Sequence, residues 1–207
     1  VAHSFDGKTL KAIQNPKRDL NVNVKQKMNG AAGGIWASAN DMCKWMLVQL
    51  NEGKYGTNLD KTLFSEHQQR EMWRVHTPMI NYPDPRWPFK THFSGYGLGW
   101  FLSDFNGFLK VEHSGLIAGM CSEVTLIPEL ELGIVVLNNS EVAGRLNGLM
   151  GVVLLEEYLK IETGTNWLEM IKGLEQQRRK MGDHDSEKVW TEVEANKNVK
   201  VNRDTYV

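Results

Sequence analysis

From Gly95 to Leu137 the chain alternates apolar, strand-patterned segments with short turns, and this constrains its fold more than any other feature. Gly95-Tyr96-Gly97-Leu98-Gly99-Trp100-Phe101-Leu102 reads as a first strand. A turn at Asp104–Gly107 leads to a second at Phe108–His113, and Met120–Ile127 is a third. Pro128-Glu129 then turns the chain into Leu132–Leu137. Connections this short cannot hold a crossover, so successive strands must run antiparallel, as a meander. The nearly uniform apolarity of Leu132–Leu137 predicts a central strand covered on both faces.

Helices flank this block. Ser38 caps one, with Asp41 supplying an acidic first turn, and Met42, Trp45, Met46, Gln49 and Leu50 fall at helical spacing before Gly53 stops it. Ser65 with Gln68 opens a short helix over 65–73. The segment 75–90 holds four prolines and reads as irregular loop. Leu146, Leu149, Met150, Val153 and Leu154 mark a helix of about 17 residues from Val142, whose apolar stripe would cover one sheet face. Residues 1–34 are polar loop, apart from a short alternating stretch after Asp6-Gly7. The fold class is α+β, an antiparallel meander flanked by helices. Residues 1–162 form the main domain. Residues 163–207, with a helix at 166–181, form a connector and the start of a further module.

Composition removes several functions. Twenty-four basic against 25 acidic residues leave a net charge of −1, with no electrostatic footprint for nucleic acid. No apolar run reaches the roughly 18 residues a membrane span needs. Cys43 and Cys121 are too few for a disulfide scaffold, and their apolar surroundings predict small buried side chains. The six histidines include no pair at metal-ligand spacing, so neither a metal nor a cofactor is expected. Gly95–Gly99 lacks the Lys-Ser/Thr of a phosphate loop, and its glycines read as close packing within a strand. The chain opens on Val1, which leads to the expectation that something precedes it and would have carried any targeting segment.

Two short motifs remain. Ser38-Ala39-Asn40 has the form of the Ser-x-Asn element of penicillin-recognising enzymes, but a helix N-cap accounts for the same residues. Glu112-His113-Ser114-Gly115 is more informative. Alternation puts Leu109, Val111 and His113 on one strand face, and Gly115 permits close approach to the strand edge. Such an edge offers N–H groups that bind an oxyanion or an extended peptide.

Taken in order, these residues resemble a family. Ala31-Ala32-Gly33-Gly34-Ile35 and Ser38-Ala39-Asn40-Asp41-Met42-Cys43-Lys44-Trp45 form the first block. GYGLGW, His113-Ser114-Gly115, Ile127-Pro128-Glu129 and Leu132 to Ser140 form the second. Both are similar to the serine β-lactamase and penicillin-binding-protein-like hydrolases, in the branch of class C β-lactamases, esterases and D-aminopeptidases. The resemblance covers residues 30–160 and implies a partial β-lactamase/transpeptidase-like fold. It implies that His113 replaces the basic residue facing the substrate carboxylate or the nucleophile's proton network. Ser114 would offer a hydroxyl to the substrate, Gly115 would leave it room, and the N–H of Leu116 would be one oxyanion-hole donor.

The departures matter as much. No lysine has a serine three positions before it, so the Ser-x-x-Lys nucleophile element is absent, as is Tyr-x-Asn. In the family both precede the first block, so the chain is expected to be a C-terminal half that is inactive alone. Missing first strands would leave an edge uncovered, leading to marginal stability, a homo-oligomer, or pairing with the missing half. The resemblance then implies a parent serine hydrolase using an acyl-enzyme on a β-lactam, D-amino-acid peptide or ester, a small-molecule or peptide substrate, and it favours the periplasm or the outside of the cell. The alternative is a non-catalytic module that binds peptide or a protein partner.

Overall fold

The computed structural model describes residues 2–5, 9–13, 33–80, 88–117, 119–140, 144–174, 176–177, 180, 188–189 and 191. The loop expected over 14–32 therefore lies outside the described residues. The chain divides into two compact units, Val1–Gly164 and Thr165–Val207.

The first unit opens with an antiparallel hairpin of β1 (Ala2–Phe5) and β2 (Leu10–Ile13). Helix α1 (Ala39–Leu50) starts at Ser38, whose hydroxyl accepts from the Asp41 N–H while the Asp41 carboxylate accepts from the Ser38 N–H. This reciprocal box satisfies two helix-end donors and identifies Ser38 as a cap. A two-stranded ribbon of β3 (Lys54–Tyr55) and β4 (Lys61–Thr62) follows. Helix α2 (Glu66–Met72) begins with the same box, made by Ser65 and Gln68.

The remaining strands are β5 (Thr77–Pro78), β6 (Ser94–Tyr96), β7 (Phe101–Phe105), β8 (Phe108–Ile117), β9 (Met120–Ile127) and β10 (Leu132–Asn138). Each pairs antiparallel with its neighbour in sequence, giving one six-stranded meander in the order β10-β9-β8-β7-β6-β5. Helix α3 (Gly144–Leu159) completes an α+β unit.

One row of side chains crosses the sheet and forms its core. Leu102 lies opposite Val111, Val111 opposite Leu126, and Leu126 opposite Gly133. The three large residues are almost wholly buried. Each contributes about 1.5–3 kcal/mol by leaving water. Gly133 ends the row because α1 packs down there. A Cβ at that position would stand 3.0 Å from the Met46 sulfur. On the opposite face, the buried Asn147 of α3 donates from Nδ2 to the Val136 carbonyl (3.4 Å) and accepts from the Asn138 amide.

Several expectations need correction. The strand read over 95–102 is two strands, β6 and β7, broken at Gly97–Trp100. The break follows from contact with α2: the Leu98 N–H donates to the Met72 carbonyl (3.0 Å), and a Cβ on Gly97 would collide with that oxygen. The proline-rich segment contributes the edge pair β5, and 81–87 are not among the described residues. The second strand does not stop at His113 but runs to Ile117. β10 is an edge of the sheet rather than its centre. Its apolarity reflects the two helices, with Gly133 against α1 and Val136 against α3. The covering face of α3 is Asn147, Gly151, Val152 and Leu155, while Leu146, Met150 and Leu154 are exposed. The Asn147 hydrogen bonds set that rotation. Cys43 is exposed, one residue off the buried Met46–Gln49 face, whereas Cys121 is buried and donates to the Ser140 carbonyl (3.2 Å). In the second unit, Asn166 caps a helical stretch over 167–174, accepting from the Glu169 N–H at 3.2 Å.

A buried carboxylate ties the segment after the prolines to the sheet. Asp104 accepts from the backbone N–H groups of His92 (2.5 Å) and Phe93 (3.0 Å) and from His92 Nδ1 (2.6 Å). Burial alone would raise this carboxyl, but those bonds and the His92 charge outweigh it and hold it below the ordinary carboxylate value. A lowered carboxyl contributes stability in full above the unfolded value of about 3.9, and that contribution is lost as pH falls through the lower folded value. Asp104→Asn should cost roughly 1–3 kcal/mol at pH 7, with the deficit shrinking in acid. Urea midpoints of both proteins between pH 7 and pH 3 check this; a deficit constant across that range contradicts it.

Candidate functional site

Among the described strands, the pairing of β8 is one-sided at its C-terminal end. β7 meets β8 from Phe105 opposite Phe108 to Phe101 opposite Glu112, and goes no further. β9 continues alongside β8 as far as Ile117 opposite Met120. Residues 113–117 of β8 are thus paired on one side only among the described strands.

The direction of each amide there follows from the turns. Asn106 and Gly107, both left-handed (φ 51° and 91°), form a two-residue hairpin loop. Such a loop closes a hydrogen-bonded pair, so even-numbered residues of β8 turn their backbone groups toward β7. Odd-numbered residues then face β9. The Leu109 N–H, which donates to Glu129 Oε1 (3.1 Å) just after β9, agrees with this parity. Past Glu112, the N–H groups of Ser114 and Leu116 therefore point out of the open edge. Both residues are exposed, Leu116 by 73%.

His113 lies at the mouth of this edge. Its alternation with the buried Val111 is as expected. Its ring is held on both nitrogens: Nδ1 lies 2.6 Å from the Ser114 carbonyl, and Nε2 lies 3.0 Å from the Tyr96 hydroxyl. The Phe101 ring packs against it with centroids 5.5 Å apart. The glycine of the triplet has a local cause. Gly115 is opposite Ser122, and a Cβ there would strike the Ser122 hydroxyl. Strand geometry thus brings His113, Ser114, Gly115 and Leu116 to one edge.

Tyr96 and Phe101 meet His113 at this edge, Ser122 and Glu123 lie on the paired β9 flank opposite it, and none of the four was singled out as a site residue in the sequence. The only signal that finds them is the strand register. Tyr96 reaches His113 because β6 and β7 are separate strands. Ser122 and Glu123 lie opposite Gly115 and Ser114 because β8 extends past His113.

Glu123 shares a face with Ser114 and, diagonally, with Glu112, which pairs with Lys110 (2.8 Å). Burial, then the Glu112 charge, push its carboxyl up to about 7, against the pull of Lys110. A raised carboxyl contributes stability in full below its unfolded value, and that contribution is lost as pH rises through about 7. Glu123→Gln should therefore stabilise the unit at pH 8 by on the order of 1 kcal/mol, after solvent screening, and change little at pH 4. Thermal unfolding at the two pH values tests this; equal effects at both would contradict it.

The family model described as Beta-lactamase matches residues 3–154. The chain belongs to the beta-lactamase family. The matched region of this beta-lactamase-family chain includes the whole six-stranded sheet and the open edge of β8. Among solved structures it is similar to the octameric penicillin-binding protein homologue from Pyrococcus abyssi. The identity is 22%, the TM-score 0.49, and the match covers 61% of this chain and 25% of that one. The chain thus spans about a quarter of that protein's length. No curated protein matches.

Proposed function

We propose that this chain is one wall of the active-site groove of a serine hydrolase. The complete enzyme acylates a serine with a β-lactam, a D-amino-acid peptide or an ester, then hydrolyses the acyl-enzyme. The branch of class C β-lactamases and esterases is the nearest in motif. The observation that carries the reading is the open edge of β8, with the amides of Ser114 and Leu116 turned outward beside His113.

The chemistry follows from that geometry. Attack on an acyl carbonyl places negative charge on its oxygen, and a fixed strand-edge N–H stabilises that charge without reorganisation. Leu116 supplies one such donor, and Ser114 offers its hydroxyl to the substrate. Residues 1–207 contain neither Ser-x-x-Lys nor Tyr-x-Asn, so in this reading the nucleophile and its base come from elsewhere in the complete enzyme. Residues 163–207 lead from this domain toward a further module.

The chain alone should show no mass adduct with a penicillin or a fluorophosphonate. The same chain joined to a half carrying Ser-x-x-Lys should label stoichiometrically. In that joined enzyme Leu116→Pro removes one outward N–H and leaves the β9 pairing intact. Its acylation rate should fall about 10²-fold or more. An adduct on residues 1–207 alone, or an unchanged rate in the proline variant, would contradict the assignment.

A further inference from the structure

The two hydrogen bonds on His113 determine where its ring proton lies. The Ser114 carbonyl can only accept, so Nδ1, 2.6 Å away, must carry a hydrogen. In the neutral ring the other nitrogen is then an acceptor. Among the described residues its partner is the Tyr96 hydroxyl, whose oxygen is 3.0 Å away and which must then donate. Tyr96 is itself held by the edge-on packing of its ring against Phe101, with centroids 4.7 Å apart, and Phe101 also packs on the imidazole. Ring position, ring angle and proton position are therefore set together by residues from three strands.

We propose that Tyr96 is a positioning residue for His113: with the Ser114 carbonyl selecting the Nδ1–H tautomer, the Tyr96 hydroxyl donates to Nε2 and holds the ring in place. The inference deepens the hydrolase reading, because it concerns the side chain at the groove mouth, but the proton assignment stands whether or not the chain is part of an enzyme. In the neutral state both ring nitrogens are already bonded. In that form His113 presents a ring engaged on both nitrogens at the groove mouth. The oxygen of Tyr96 becomes the polar atom of this pair with acceptor capacity left over, since a phenol that donates its hydrogen still accepts.

The test is nitrogen-15 NMR of the histidine rings in the full 207-residue chain, at a pH where imidazole is neutral. His113→Gln assigns the signal by its disappearance. The wild-type ring should show a protonated, pyrrole-type Nδ1 and a pyridine-type Nε2 displaced by hydrogen bonding. In Tyr96→Phe the Nε2 signal should move toward that of an unbonded pyridine nitrogen, while Nδ1–H keeps its bond to the Ser114 carbonyl. A purely packing role for Tyr96 would leave the nitrogen shifts in place, because phenylalanine keeps the ring. An Nε2–H tautomer in the wild type overturns the proposal without need of any variant. An Nε2 shift unmoved in a folded Tyr96→Phe protein overturns it as well. Neither outcome bears on whether a nucleophile lies elsewhere.

Discussion

Every buried backbone amide must find a partner, and in this sheet the obligation is met unequally along one strand. β8 is twice as long as β7 beside it, 10 residues against 5, and among the described strands its last residues have a neighbour on one side only. The same strand carries Val111, at the centre of the Leu102–Val111–Leu126 row. The open edge is therefore rigid on one flank and unpaired on the other. Among the described residues this leaves fixed donors without a strand partner, which is what stabilising a developing oxyanion requires.

The helices serve that strand from a distance. α1 packs its Met46 onto Gly133, and α3 anchors to β10 through Asn147. Both hold β10, which holds β9, which fixes β8. On the other flank the Leu98–Met72 bond bends the chain between β6 and β7. That bend ends β7 at Phe101 and delivers Tyr96 to His113. A glycine-rich segment thus limits the partner strand and positions the histidine at the same point.

Local physics made much of this legible in the sequence. The Ser38–Asp41 and Ser65–Gln68 boxes are short-range, so three residues of context suffice to place both helix starts. β9 was readable from its apolar pattern and bounding turns. Features set by tertiary contact were not. Ser114-Gly115 resembles a strand end, but a glycine can continue a strand where a cross-strand serine occupies the space its Cβ would need. The apolar run of β10 marked coverage by two helices and said nothing of its place at the edge. α3 is apolar on more than one side, so the spacing of its leucines did not identify the face that Asn147 holds against the sheet. At the site, the consecutive residues His113 to Leu116 were visible as a motif. Tyr96, Ser122 and Glu123 were not, because only register brings them there.

The central claim is the one-sided pairing of β8, and amide hydrogen exchange reads it residue by residue. The N–H groups of His113 and Gly115 face β9 and should be protected. Those of Ser114 and Leu116 face outward and should exchange at least about ten times faster under native conditions. That alternation along one short stretch would establish an edge with its donors presented. Equal protection of all four amides would mean that the edge is filled, and the account of the groove would fail with it.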